Sequence, residues 1–341
     1  MSLMQIIMQI ILLILSVAPV MIFAHLIYKR DFDKEPTSLL VKLFFCGVGS
    51  TILTLIFTKL LTSIVPFFGY ETGRLNVIEL IPYVFIGVAL IEELSKWIFV
   101  YFLEYNDNEF NHLYDGIVYA AFVSLGFACF ENILYVMQSG IVTAIVRALL
   151  AIPGHLCDGI MMGYYLSMAK LAMCNGNKSL STKNLILSLL IPTLAHGVYD
   201  YLIFASSASN NSIFLVAFFI FVAFFYSYAA KKVKQLSLSA YNLNPNYISV
   251  THRNLMAQNR QQIYNYYQQN TSYPQQTNYQ YQNQVSYPQN NYSDVQQSVG
   301  YTQQPVQQTN NYTQTLVDKK FCPQCGTPVK GKFCAQCGRQ L

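Results

Sequence analysis

Charge is what this sequence has least of. Of its 341 residues only 11% are Asp, Glu, Lys or Arg, while 53% are hydrophobic. A soluble globular chain carries about 25% charged residues, so an ordinary water-soluble enzyme is excluded. Other absences narrow the class further. No stretch alternates polar and apolar residues with a period of two, which excludes a membrane β-barrel. The N-terminus has neither a positive n-region nor a small-residue cleavage site, so the first apolar run reads as a retained span rather than a signal peptide. There is no His-Glu-x-x-His and no Gly-x-Ser-x-Gly, so the common zincin and serine-hydrolase patterns are missing.

What remains is long apolar runs. Seven are expected to be helical spans, at about 4–28, 39–66, 79–104, 116–138, 141–173, 184–206 and 211–229. Each offers the roughly 20 residues that cross about 30 Å of hydrocarbon. The fifth is long, and a tilt or a break near Pro153-Gly154 is expected. Helix is the only open-ended element that satisfies its own backbone in lipid. The expected fold class is therefore an all-α polytopic membrane protein occupying residues 1–234. Lys29, Arg30 and Lys34 follow span one; Lys170, Lys178 and Lys183 flank the loop between spans five and six; Lys231, Lys232 and Lys234 follow span seven. The positive-inside rule then sets the N-terminus outside and the C-terminus in the cytoplasm of a cell-membrane protein.

Beyond Lys234 the texture changes. Residues 235–318 are rich in Gln, Asn and Tyr, with scattered Pro and few aliphatics. Such a segment buries too little apolar surface to offset its ordering entropy, so a disordered tether is expected. Residues 319–341 hold two Cys-x-x-Cys pairs, Cys322/Cys325 and Cys334/Cys337, each followed by Gly. Four thiolates on two knuckles make a closed tetrahedral zinc site, structural rather than catalytic. In a reducing cytoplasm the alternative, two disulfides, is disfavoured. Cys46, Cys129, Cys157 and Cys174 show no pairing pattern and read as small apolar packing residues.

Against this background, "ALIEELSKWIFVYFLEY" (89–105) stands out, because Glu92, Glu93 and Lys96 lie in the middle of span three. Each ionisable group at that depth costs about 2.5–3.5 kcal/mol on insertion scales. Glu92 and Lys96, four apart, share a helix face and can pair; Glu93 is turned about 100° away and can reach another helix. Other spans carry matching anomalies: Glu131 in "GFACFENILYV", His155 and Asp158 in "IPGHLCDGIMMGYY", His196 and Asp200 in "LAHGVYDYL". Arg147 and Lys59 read as snorkelling residues, and His112 and Asp115 as solvated loop residues. Carboxylates and imidazoles from four spans suggest one polar site. Two chemistries suit it. A buried carboxylate can act as general base on water, or His155, His196 and a glutamate can hold Zn²⁺ with an open position for water.

Glu-Glu-x-x-Lys in "IEELSK", Phe-x-x-x-Glu in "FACFE", a histidine in the next span and His-x-x-x-Asp in "HGVYD" resemble the motifs of the PrsW-type intramembrane proteases. These belong to the broad superfamily of CAAX-protease-like membrane enzymes. "YKRDFDKEPTSLLVKLFFCGV", with its Asp-x-x-x-Glu-Pro, is similar as well. The resemblance covers about residues 25–205 and points to Glu92, Glu93, Lys96, Glu131, His155, His196 and Asp200 as the site. It implies cleavage of a membrane-anchored protein such as an anti-sigma factor, by a metal-dependent or a glutamate general-base route. The tether and ribbon are additions to that core, the ribbon suited to a cytoplasmic protein partner. Nucleic acid is not an expected partner. A proton-linked transporter is the main competing reading, since buried Glu, His, Asp and Lys also build relays. Against it stand the lack of an inverted repeat and the odd number of spans. A non-catalytic scaffold displaying the ribbon is a third reading, and it leaves the buried charges unexplained.

Overall fold

In the computed structural model the described residues are 2–31, 33–239 and 243–244, with the backbone of 320–321 and 328–329. Of the expected tether only 235–239 and 243–244 are among them, and its first residues, to Ser237, are the end of a helix rather than tether; the rest of the tether and the four ribbon cysteines lie outside the described residues. The described chain is nearly all helix: α1 (Leu3–Arg30), α2 (Thr37–Ile64), α3 (Leu80–Pro82), α4 (Ile91–Glu104), α5 (Asp115–Ser139), α6 (Ile141–Leu149), α7 (Ala151–Cys174), α8 (Lys178–Ser209) and α9 (Ser212–Ser237). Two short strands, β1 (Lys320–Phe321) and β2 (Pro328–Val329), pair antiparallel; in the sequence they bracket the first Cys-x-x-Cys.

Six helical stretches among the described residues are long and apolar enough to cross a membrane: α1, α2, α5, α6 with α7, α8 and α9. The remaining expected span, span three at 79–104, is helical from Leu80 to Glu104 but changes winding on the way. The turn α3 runs into a π-helical segment, Tyr83–Leu90, and then into α4. Three charges fall in its mid-length, so length and composition alone do not mark it as a span.

Helix α5 is the buried centre. Every residue from Asp115 to Cys129 is buried, and the helix packs against α7, α2, α1 and α4. In lipid no hydrophobic force drives helices together, so close approach and dispersion must do it. Small residues provide the approach. A Cβ on Gly47 would strike the Val123 carbonyl, and one on Gly126 would strike that of Phe44, which locks α2 to α5. Gly163 of α7 meets the backbone of Gly116 in the same way. The outer helices turn apolar residues such as Ile14, Leu55, Ile186 and Phe224 outward, as a lipid-facing surface requires.

The fifth expected span divides at Leu150, three residues before the Pro153 expected to break it. Gly140, at φ +82°, folds the short helix α6 back beside α5, and Leu150 separates α6 from α7. Proline is tolerated in the first turn of α7, where its missing N–H has no helical partner to lose. The Tyr226 hydroxyl donates to the Leu150 carbonyl at 2.5 Å, which also accepts the Gly154 N–H at 2.9 Å, and so ties α9 to the break. Two readings of single residues are corrected here. Asp115 is fully buried rather than solvated, with its Oδ2 accepting the backbone N–H of Asn111 (2.9 Å) and His112 (2.6 Å). Cys174 is exposed rather than packed, while Cys129 and Cys157 are buried as expected.

Candidate active site

Helices α4, α5, α7 and α8 each bring ionisable side chains to one place. Lys96 of α4 is completely buried, and its ammonium donates to Glu93 Oε1 at 2.7 Å. Glu92 lies farther away, at 3.8 Å. The three-residue spacing thus supplies the tight pair, in place of the expected four-residue one. Glu93 reaches a second helix, because its Oε1 also accepts from His196 Nδ1 of α8 at 2.9 Å. Lys96 continues to His155 Nδ1 of α7 at 3.2 Å and sits 4.1 Å over the Phe127 ring. On the far side of that imidazole, Nε2 meets Glu131 Oε2 of α5 at 2.9 Å.

The hydrogen-bond pattern assigns the proton on each ring that faces a glutamate. An ammonium only donates, so His155 Nδ1 accepts and Nε2 carries the proton given to Glu131. Glu93 Oε1 accepts, so His196 Nδ1 carries a proton. His196 Nε2 then faces Asp200 Oδ2 at 3.5 Å and Glu92 Oε2 at 3.9 Å. Asp158, whose role the sequence left open, stands behind, with Oδ2 at 3.9 Å from His196 Nδ1. All seven residues expected from sequence therefore join one cluster, and Asp158 enters as an eighth member.

A cavity of about 540 Å³ opens onto part of this cluster. Glu92, Glu131, His155, Asp158, His196 and Asp200 face it; Glu93 and Lys96 do not. The two adjacent glutamates thus have different surroundings. Glu93 is fully buried in ion pairs, whereas Glu92 borders the cavity with Oε2 unbonded. The local folding explains the separation. Gly197, beside His196, lets the Phe85 ring of the π-helical segment lie where a Cβ would be, so α8 closes tightly on the start of α4. The wider turn of a π-segment shifts the register of the helix after it and is frequent at functional sites.

Sequence reasoning missed Arg147. It is no snorkelling residue: its Nη2 donates to Glu131 Oε2 at 2.6 Å and its Nε to Asn132 Oδ1 at 2.9 Å, and it borders the same cavity. Sixteen residues separate it from Glu131, a spacing no helical period relates. Only the turn at Gly140 brings the two together.

A profile described as "PrsW family intramembrane metalloprotease" matches residues 35–227, more than half of the chain. The chain belongs to the PrsW family. Among its relatives, a Protease PrsW of Geobacillus kaustophilus is 38% identical over 56% of this chain and 78% of its own length. Those of Oceanobacillus iheyensis and Bacillus subtilis are each 33% identical, over 64% and 65% of this chain and 94% and 95% of theirs. No solved structure matches. The protein is thus a multi-pass membrane peptidase, and the transporter and scaffold readings give way to it.

The family's description implies a metal, and the residues present fit one. Ligand atoms from Glu93, His155, Asp158 and His196 all lie within 4.8 Å of one another, and all four residues are buried. Two imidazoles and two carboxylates are a zinc-type donor set. Glu93 Oε2 and Asp158 Oδ1 have no hydrogen-bond partner, so both remain available to a cation.

Proposed function

We propose that this PrsW-family peptidase hydrolyses a membrane-anchored protein with Glu92 as general base. The observation that carries this reading is the division of labour between the paired glutamates: Glu92 lines the cavity, with Oε2 no closer than 3.8 Å to Lys96 and 3.9 Å to His196, while Glu93 is away from the cavity and bonded through Oε1 to both Lys96 and His196. A water in the cavity gives its proton to Glu92 and attacks the scissile carbonyl; Glu92 then passes that proton to the leaving amine. His196, oriented by Glu93 and Asp200, and His155, oriented by Glu131, hold the water and the developing oxyanion. Lys96 keeps the buried acids charge-balanced. A Zn²⁺ held by three of Glu93, His155, Asp158 and His196, with the fourth position open, would add Lewis-acid polarisation of the carbonyl and an acidified water.

The substrate class we propose is a single-span protein cut near its extracytoplasmic side, such as an anti-sigma factor, in regulated proteolysis. The lysines after spans one, five and seven support an outside N-terminus and a cytoplasmic C-terminus. The ribbon formed by Cys322, Cys325, Cys334 and Cys337 would hold one structural Zn²⁺ and offer a surface to a cytoplasmic protein.

The test is single-turnover cleavage of a dye-labelled single-span protein by detergent-purified wild type, Glu92→Gln, Glu93→Gln and His196→Ala, each with and without chelator. Loss in all three variants is expected. Wild-type rates in all three would refute the site. Chelator sensitivity that persists after removal of the ribbon would select the metal route over the metal-free one.

A further inference from the structure

Arg147 is held on three sides. Its Nη2 donates to Glu131 Oε2, its Nε donates to Asn132 Oδ1, and its guanidinium carbon lies 4.3 Å over the Tyr135 ring. Asn132 is itself buried and anchored, with Nδ2 donating to the Ser16 carbonyl of α1 at 2.9 Å. The arginine is therefore braced through α5 to α1. A forked guanidinium can grip a carboxylate and a neighbouring amide oxygen together in one fixed planar geometry.

What it grips matters for His155. Glu131 Oε2 receives two N–H groups, from Arg147 at 2.6 Å and from His155 Nε2 at 2.9 Å. Turning the carboxylate away from His155 would cost the bond to Arg147 as well. If Glu131 moved, His155 would lose the acceptor that keeps its proton on Nε2, and Nδ1 would no longer be reserved for Lys96.

We propose that Arg147 is a positioning residue: it fixes Glu131, and through Glu131 it holds His155 in one tautomer and one orientation. This rests on the reading that His155 serves hydrolysis. An outer partner that orients an active-site imidazole is worth about 10–100-fold in activity. Arg147→Met should lower kcat by about that factor and leave KM within about twofold. Arg147→Lys, which can replace one contact but not the fork, should lose less than Arg147→Met. Guanidinium ion at tens of millimolar should restore activity to Arg147→Ala, whose cavity then has room for it. Adding Arg147→Met to Glu131→Gln should cause no further loss, because both act through one bond. Independently of turnover, ¹⁵N-histidine spectra should show His155 as a single Nε2–H tautomer in wild type and as a mixture in Arg147→Met.

Several results would overturn this. A raised KM with kcat intact would make Arg147 a substrate contact. Additive losses in the double variant would mean that it acts independently of Glu131. An unchanged His155 tautomer, or no rescue of a folded Arg147→Ala by guanidinium, would reduce it to a structural residue. Wild-type activity in Glu131→Gln alongside loss in Glu92→Gln would remove the clamp and leave the peptidase reading standing. Wild-type activity in both would remove the two together.

Discussion

Two groups of buried acids lie at different places in this bundle, and they are balanced differently. At the site, Glu92, Glu93, Glu131, Asp158 and Asp200 are interleaved with Lys96, Arg147, His155 and His196 at distances between 2.6 and 3.9 Å. Where the loop after α1 meets the start of α5, Asp31, Glu35, Glu109 and Asp115 are all buried too. The nearby cation, Lys34, gives its ammonium to the backbone carbonyls of Tyr28 and Asp31, both at 2.5 Å. His112 stands 3.8 Å from Asp33 at the edge of this region. The lesson is that burial alone does not make a reactive acid. Acids threaded with cations have a charged partner within reach and can be poised as base, anchor or ligand. Acids left with few cations are driven to hold protons. Burial pushes the Asp31 carboxyl up to about 7 against the pull of Lys34. Burial, reinforced by Asp115 and Asp31, pushes Glu35 well above the usual carboxylate range.

The sharpest break between the two groups should be catalytic. Glu92→Gln is expected to slow single-turnover cleavage by at least about a hundredfold, the size of a lost general base. Glu35→Gln, equally a buried glutamate, should stay within about twofold of wild type. Comparable losses in both would erase the distinction.

Next in size is the cost of stripping a cation. Lys96→Met leaves Glu93 buried without its 2.7 Å partner, which should cost about 3–5 kcal/mol, read as a lowered Tm in detergent. Lys96→Met combined with Glu93→Gln removes both charges and should regain most of that stability without regaining activity. A double variant no more stable than the single one would show that the pair does not carry the effect.

A smaller effect is set by pH. The folded Asp31 carboxyl titrates near 7 rather than near the 3.8 of a free aspartate side chain. Its contribution to stability is therefore fully present below about pH 4 and is lost as pH rises through about 7. Asp31→Asn should raise Tm by a few degrees at about pH 8 and leave it unchanged near pH 4. A stabilisation that grew on acidification would contradict the assignment.

The smallest change should come from removing residues 245–341, after the point where Leu243 donates its N–H to the Asn111 carbonyl. Purified truncated enzyme should keep wild-type turnover. Loss of turnover with an unchanged Tm would give the tail a part in catalysis. The excised 318–341 fragment should carry one zinc per chain, lost on Cys322→Ser.

The bundle was legible because apolar runs long enough to span lipid are sequence-local facts. The charges at Glu92, Glu93, Lys96, Glu131, His155, His196 and Asp200 were legible because a charge inside such a run is costly and therefore informative. Arg147 escaped because it sits near the end of a run, where an arginine is unremarkable, and its partner is in another helix. Asp115 escaped because a polar residue ahead of an apolar run reads as loop. The Glu93–Lys96 pair was misjudged because three- and four-residue spacings are both within reach on a helix, and contacts with α7 and α8 chose between them.

Local pattern alone determined the class of molecule, its helical spans and the residues too costly to be idle. It could do so because lipid forces each span to satisfy its own backbone and penalises every charge one at a time. Only the packing of α5 against α7 and α2, the close approach of α8 to the π-helical turn, and the turn at Gly140 decided which glutamate faces the cavity and which cation holds which acid. Those choices depend on a few ångströms between helices distant in sequence, and distance across a bundle leaves no period in the chain.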